Sequence, residues 1–178
     1  MGDDDILLPN ALETTRKALV KNKNATVAFG YCDYVDSNGK YIFTSKAGSL
    51  APWIMTWGPN LVPMMGLMFR KSSFNEIGGF DESLKYAMDL DLLLKLRKIG
   101  PFINTKQTLS NFRWHATSQT VSNRPKVLTE TEGIKKKHLP APLNRLTFLW
   151  NWFIRIATTL AVKRVNAKAQ NLSTDKVS

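Results

Sequence analysis

The chain has 178 residues, 43% of them hydrophobic, with five tryptophans and a formal net charge of +11, enough for one domain with a real core and incompatible with a disordered chain. The charge is uneven: residues 1–132 carry a net +3 and residues 133–178 a net +8, so the basicity belongs to the C-terminal segment and gives no ground for a nucleic-acid partner. A single cysteine, Cys32, excludes an intrachain disulfide and a cysteine-built zinc site, and it suits the cytosol or the cytosolic face of a membrane.

Three carboxylates, Asp3, Asp4 and Asp5, stand almost at the first residue. Pro9 suits a helix first turn, and Ala11, Leu12, Thr15, Ala18 and Leu19 then share one helical face up to about Lys21. TVAFGYCDYV, rich in β-branched and aromatic residues, predicts a buried strand, and Asn38-Gly39 predicts a hairpin into a second one. Residues 45–60, with Gly48, Pro52, Gly58 and Pro59 among Trp53, Met55 and Trp57, predict an irregular segment holding one short helix. LVPMMGLMFR reads as another buried strand, and KSSFNEIGGF as a short helix closed by Gly78-Gly79. Leu92, Leu93, Leu96 and Ile99 recur at helical spacing until Gly100-Pro101 stops the run, and FINTKQTLSNFRWH predicts two short strands or a strand and loop. Alternating helices and strands imply an α/β domain with a mixed sheet of four or five strands.

Three stretches could carry chemistry. Asp3, Asp4 and Asp5 could hold a divalent cation, since magnesium is bound through one or two carboxylates, with water and substrate phosphates completing its shell; alternatively they favour the start of the next helix. Asp89 and Asp91 open an apolar helix and, two residues apart, point about 200° from one another. They cannot serve the same purpose. One could face a cleft as a general base while the other pairs with a cation, or both are simply helix-start residues. In NFRWHATSQT, His115 has polar company and Arg113 could bind phosphate, although a lone histidine is more often structural.

Taken together, DDDILLPNAL, GYCDYVDSNGK, GLMFRKSSFNEIGGFDESLKYAMDLDLLLKLRKIG and FRWHATSQT resemble, in order and at about the right spacing, the family 2 glycosyltransferases of the GT-A fold. The resemblance implies a partial GT-A mixed sheet flanked by helices. It places Asp3 and Asp5 at the family's metal-binding motif, with Mg²⁺ or Mn²⁺ as cofactor, and Asp4, Arg113 and His115 near the donor diphosphate. Asp89 corresponds to the catalytic base of the family's Glu-Asp pair, whose Glu is Met88 here. Gly79, Phe80 and Asp81, preceded by Gly78, match the loop bordering the acceptor pocket, and Asp91 becomes a structural or acceptor-site residue. The reaction implied is an inverting transfer from a nucleotide-sugar donor to a hydroxyl of a glycan or lipid-linked acceptor. In this family the acidic motif follows the nucleotide-binding half of the domain, so the chain reads as the C-terminal half without its N-terminal partner. The other reading is a non-catalytic, membrane-associated remnant or scaffold of the same fold.

The expected divisions are residues 1–125 for the acceptor-side part of the domain, 126–142 for a basic linker or helix, 143–169 for an amphipathic helix and 170–178 for a disordered tail. In the third of these, Thr147, Asn151, Arg155, Thr159 and Lys163 form a polar stripe, while Leu149, Phe153, Ile156 and Leu160 fill the rest with Trp150 and Trp152. Arg155 in its middle speaks against a membrane span. A helix lying in the bilayer interface is expected, which places the protein in the cytoplasm, peripheral on the inner face of the cell membrane.

Overall fold

Two parallel strands, β2 (Val27–Val35) and β5 (Phe102–Arg113), form the centre of the fold in the computed structural model, which describes residues 5–115 and 123–174. From β2 the chain turns through Asn38-Gly39 into β3 (Tyr41–Ser45), antiparallel to it. Asp36 Oδ1 fixes that turn by accepting the Asn38 and Lys40 N–H groups, each at 2.8 Å. A two-residue strand, β4 (Met68–Phe69), pairs with the amino-terminal end of β2, and β1 (Ile6–Leu7) runs antiparallel to the carboxyl end of β5. The order β1-β5-β2-β3, with β4 also on β2, makes the expected mixed sheet.

Successive β2 side chains point to opposite faces. Ala28 packs with Leu19 of helix α1 (Ala11–Lys21), together with Met68 and Ile103. Val27 packs with Leu92 and Leu96 of α4 (Met88–Ile99), and Phe29 joins Leu90 and Leu93 in the largest core cluster, with Met55 and Ile134. Short helices α2 (Ala51–Ile54) and α3 (Lys71–Glu76) link these parts. Arg70 closes the carboxyl end of α1: its Nη2 donates to the carbonyls of Leu19 (2.5 Å) and Asn22 (3.1 Å), and its Nε to that of Ala25 (2.7 Å). After the sheet come α5 (Arg124–His138), α6 (Ala141–Asn144) and α7 (Thr147–Thr174).

Four expectations change. The stretch from Phe102 is one strand of 12 residues, not two elements. It reads as interrupted because its pairing with β2 slips where Phe29↔Asn104 is followed by Tyr31↔Thr108, with Lys106 at φ 57° in the bulge. Gly30 sits opposite, where a Cβ would lie 2.4 Å from the Gln107 carbonyl oxygen. Residues 61–70 yield only the two-residue β4: Pro63 has no N–H to give a ladder, and Gly66 turns at φ +74° against Leu109. Leu12, assigned to the inner face of α1, is 59% exposed; Ala11, Thr15 and Leu19 are the buried set. Finally, the last helix begins at Thr147 and continues to Thr174, past the boundary drawn at 169, because NAKAQNLST is largely built of good helix formers.

Candidate active site

Asp5 precedes β1, and β1 pairs Ile6 with Asn111, so Asp5 lies at the carboxyl end of β5. Arg113 and His115 follow from that same strand end. Ligands in open α/β sheets bind outside the carboxyl ends of the strands. Beneath these groups is an aromatic cluster: Tyr34 stacks on Phe43 at 4.4 Å and meets Phe112 edge-on at 5.1 Å, with Trp114 at 5.8 Å. Burial pushes the Tyr34 hydroxyl up to about 12, reinforced by Cys32 and by the negative charge of Asp5. Arg113 is tied to the hairpin turn, its Nη1 donating to the Ser37 carbonyl at 2.8 Å. Asp3 and Asp4 lie outside the described residues.

Helix α4 carries the second acid at its start. It finishes beside the start of β2, where Thr26 Oγ1 donates to the Leu96 and Gly100 carbonyls, both at 3.2 Å, and the Thr26 N–H to that of Pro101 at 3.0 Å. The helix is ~18 Å long, and nearer its acidic start Leu90 packs with Phe29, two residues further along β2 than Val27, which meets Leu96. Asp89 is half-buried there, and its Oδ1 accepts the Leu90 N–H at 2.7 Å. Burial raises its pKa, the backbone hydrogen bonds oppose that rise, and the charge of Glu130 adds to it.

Glu130, on α5, is the site residue that the sequence did not reveal. Its Oε1 accepts the N–H groups of Lys85 (2.9 Å), Tyr86 (3.0 Å) and Ala87 (3.1 Å), and its Oε2 also accepts that of Tyr86 at 3.1 Å. The carboxylate therefore closes the amino-terminal approach to α4, where helix N–H groups and the helix dipole favour negative charge. Met88 stands where the resemblance expects a glutamate; Glu130 supplies an acidic neighbour to Asp89 from 41 positions further along the chain.

Asp91, two residues on, points elsewhere. Its side chain is fully buried, paired with Lys95 Nζ at 2.7 Å and with His138 Nε2 at 2.8 Å. Of the two alternatives left open for it, structural or acceptor-site, these are the contacts of a structural residue. Burial would raise its pKa, but the Lys95 and His138 contacts outweigh that effect and lower it. Lys95 also reaches the Gly79 carbonyl at 3.5 Å, so it links Asp91 to the 78–81 loop. In that loop Gly78 and Gly79 have φ of +77° and +72°, and Gly79 N–H returns to the Phe74 carbonyl at 3.0 Å. Phe80 packs edge-on against Phe74 at 5.6 Å while staying partly exposed. Asp81 accepts the Ser83 hydroxyl at 2.5 Å, the main cause of its lowered pKa, and lies 3.4 Å from Lys137 Nζ.

Among the described residues no group of three His, Cys, Asp or Glu side chains gathers that could hold a metal ion. Asp5 is a single carboxylate with a buried Oδ1, which meets the minimum for magnesium that arrives with substrate phosphates.

No protein-family model matches the chain. It is similar to proteins named as uncharacterized glycosyltransferases in several Rickettsia species. It is 28% identical to the one from Rickettsia felis over 161 residues, which cover 79% of this chain and 27% of that protein. The Rickettsia conorii relative is 27% identical over 161 residues, 79% of this chain and 26% of the relative. With the Rickettsia prowazekii relative the identity is 29% over 146 residues, 75% of this chain and 44% of that one. The chain thus spans about a quarter of the length of the first two and less than half of the third.

Proposed function

We propose that this chain forms the acceptor-side part of a family 2 glycosyltransferase domain of GT-A type, with Asp89 as the general base of an inverting transfer from a nucleotide sugar to a hydroxyl acceptor. The supporting observation is the setting of Asp89: a half-buried carboxylate of raised pKa at the start of α4, on the helix to which the 78–81 loop is bolted through Lys95. The similarity to proteins named as glycosyltransferases points the same way.

In this reading Asp89 takes the proton of the acceptor hydroxyl as its oxygen attacks the anomeric carbon from the face opposite the leaving group. A raised pKa brings the carboxylate nearer the working pH, where a base is most effective. Phe80, exposed beside Gly79, offers its ring to the acceptor sugar. Arg113 and His115, at the β5 end, bind the donor diphosphate in this reading. Asp5, with Asp3, would hold a divalent cation, which when bound would supply positive charge to the departing nucleotide diphosphate beside Asp4.

Helix α7 supports placement at a membrane surface. Part of its polar stripe turns inward, with Arg155 Nε and Nη2 donating to Glu132 on α5 at 2.5 and 2.8 Å and Arg124 Nη2 donating to the Thr159 hydroxyl at 3.2 Å; outside the stripe, Asn166 Oδ1 accepts Trp114 Nε1–H at 2.7 Å. The apolar side faces out, with Phe148 68%, Trp152 61% and Phe153 64% exposed. No helix among the described residues is long and apolar enough to cross a membrane; an outward apolar face flanked by Lys163, Arg164 and Lys168 fits an anionic bilayer surface.

The test is an assay of donor hydrolysis and transfer with Mn²⁺ over a panel of nucleotide sugars, run on the wild type and Asp89→Asn. Loss of turnover by about two orders of magnitude or more in the variant, with its fold intact, supports a general base. Turnover that survives in Asp89→Asn, or none with any donor in the wild type, overturns the reading.

A further inference from the structure

A cleft of about 220 Å³ lies between α2 and the carboxyl-terminal parts of α4 and α5. Asp89 and Lys98 are nine residues apart on α4, ~13 Å along its axis, so this cleft is distinct from the site at the start of that helix. Trp53, 56% exposed, and Trp57 form one wall, with ring centroids 6.0 Å apart and planes inclined at 45°. Arg97 and Lys98 bring two positive charges, and among the described residues no acidic side chain lines the cleft.

Among the described residues, two buried polar atoms of the lining side chains lack a hydrogen-bond partner: Thr56 Oγ1 and His138 Nδ1. The His138 side chain is only 5% exposed, and its Nε2 is engaged by Asp91 at 2.8 Å. An unmet buried polar group costs ~1–3 kcal/mol; these two lie just under the cleft surface, and a ligand hydroxyl entering the wall would satisfy them. With Nε2–H donating to Asp91, Nδ1 offers a lone pair and needs a hydroxyl donor; the Thr56 hydroxyl can donate or accept.

We infer that this cleft binds a single sugar ring carrying an acidic group, a uronate or a sugar phosphate. The hydroxyls of such a ring answer Nδ1 and Oγ1, its anionic substituent answers Arg97 and Lys98, and its puckered face fits the angled corner of the two indoles. A flat nucleobase is the poorer partner, because rings inclined at 45° cannot both stack on one plane. The volume lies below the ~300–1,000 Å³ of drug-sized clefts, which suits one ring rather than a chain. The inference does not depend on transfer at Asp89.

The full chain, carrying ¹⁵N in its tryptophan indoles and with Trp53 assigned through Trp53→Phe, is titrated with glucuronate, glucose 1-phosphate, glucose and inorganic phosphate. Glucuronate and glucose 1-phosphate are expected to shift the Trp53 and Trp57 indole signals saturably, with affinity about tenfold or more above that of glucose or phosphate alone. Trp53→Ala and Arg97→Gln, both altering side chains outside the buried core, should each weaken glucuronate binding by about tenfold while leaving the melting temperature in place. Equal shifts by phosphate and sugar phosphate would reduce the cleft to an anion patch and overturn the inference. So would unmoved Trp53 and Trp57 signals at about 100 mM ligand, or full affinity in Trp53→Ala.

Discussion

His138 Nε2 and Asp91 Oδ1 meet at 2.8 Å inside the fold and join α5 to α4. Burial lowers the His138 pKa from 6.5 despite the opposing pull of Asp91, and Lys98 and Lys137 lower it further. The pair is therefore a neutral imidazole donating to an ionised carboxylate, which Lys95 also compensates. Both shifts carry the same sign for stability. The unfolded histidine binds its proton more tightly than the folded one, so stability is lost as pH falls below 6.5 toward the folded pKa. Asp91 contributes stability above 3.8 that disappears as pH falls through its own lowered pKa. Melting curves from pH 7 to about pH 2 should show this decline, and His138→Gln, which keeps a donor but does not titrate, should flatten its upper part. Asp91→Ala, leaving Lys95 and His138 unmatched, should cost about 3–5 kcal/mol in urea denaturation.

Lys135 gives the opposite end of the pH range. Its ammonium donates to the Gly58 carbonyl, and the residue is 3% exposed. Burial drops its pKa from 10.5 to about 8, partly resisted by Glu132. The folded state binds the proton less tightly than the unfolded state, so stability should rise between pH 8 and 10.5 as that penalty is relieved. The ceiling is about 3 kcal/mol, from 1.36 kcal/mol per pKa unit. Urea midpoints across this window should rise in the wild type and much less in Lys135→Met, with the difference isolating this lysine from the others.

Glu130 can be divided into two functions by two substitutions. Glu130→Ala removes an acceptor from three backbone N–H groups and should destabilise the protein by about 2–3 kcal/mol, as for hydrogen bonds to a charged group. Glu130→Gln keeps an acceptor and removes the charge. Because that charge raises the Asp89 pKa, Glu130→Gln should lower it, visible as an earlier carboxyl titration of Asp89 by ¹³C NMR and as an acid limb of activity moved to lower pH.

The outward face of α7 predicts vesicle binding. The wild type should sediment with vesicles containing anionic lipid, more weakly as salt rises. Trp152→Ser with Phe153→Ser removes two exposed aromatic side chains and should weaken binding by about tenfold or more, given ~1.5–3 kcal/mol per large apolar side chain buried. Circular dichroism should stay unchanged, because neither ring belongs to the core clusters.

The β2–β3 hairpin and α4 were legible in the sequence because local patterns decide them: β-branched and aromatic runs around Asn38-Gly39, and a leucine repeat stopped at Gly100-Pro101. The length of β5 was not, because Asn104, Lys106 and Gln107 read as a loop when they are a bulge held inside a strand by its pairing with β2. Periodicity found the polar stripe of α7 but could not say which way it turns, since that depends on partners such as Glu132 and Arg124. Among the site residues, Asp89 was accessible through its place at a helix start and through the family pattern. Glu130 was not, because its contacts lie 43 to 45 residues away along the chain and no local spacing encodes them.

Two glutamates of α5 have different clients: Glu130 holds the backbone before α4, and Glu132 holds Arg155 of α7. A lever with its fulcrum on this helix would carry any tug on the outward-facing tail toward the acid at the opposite end. Cutting the chain after β5 would remove that lever whole, leaving the start of α4 unbraced just where Asp89 stands.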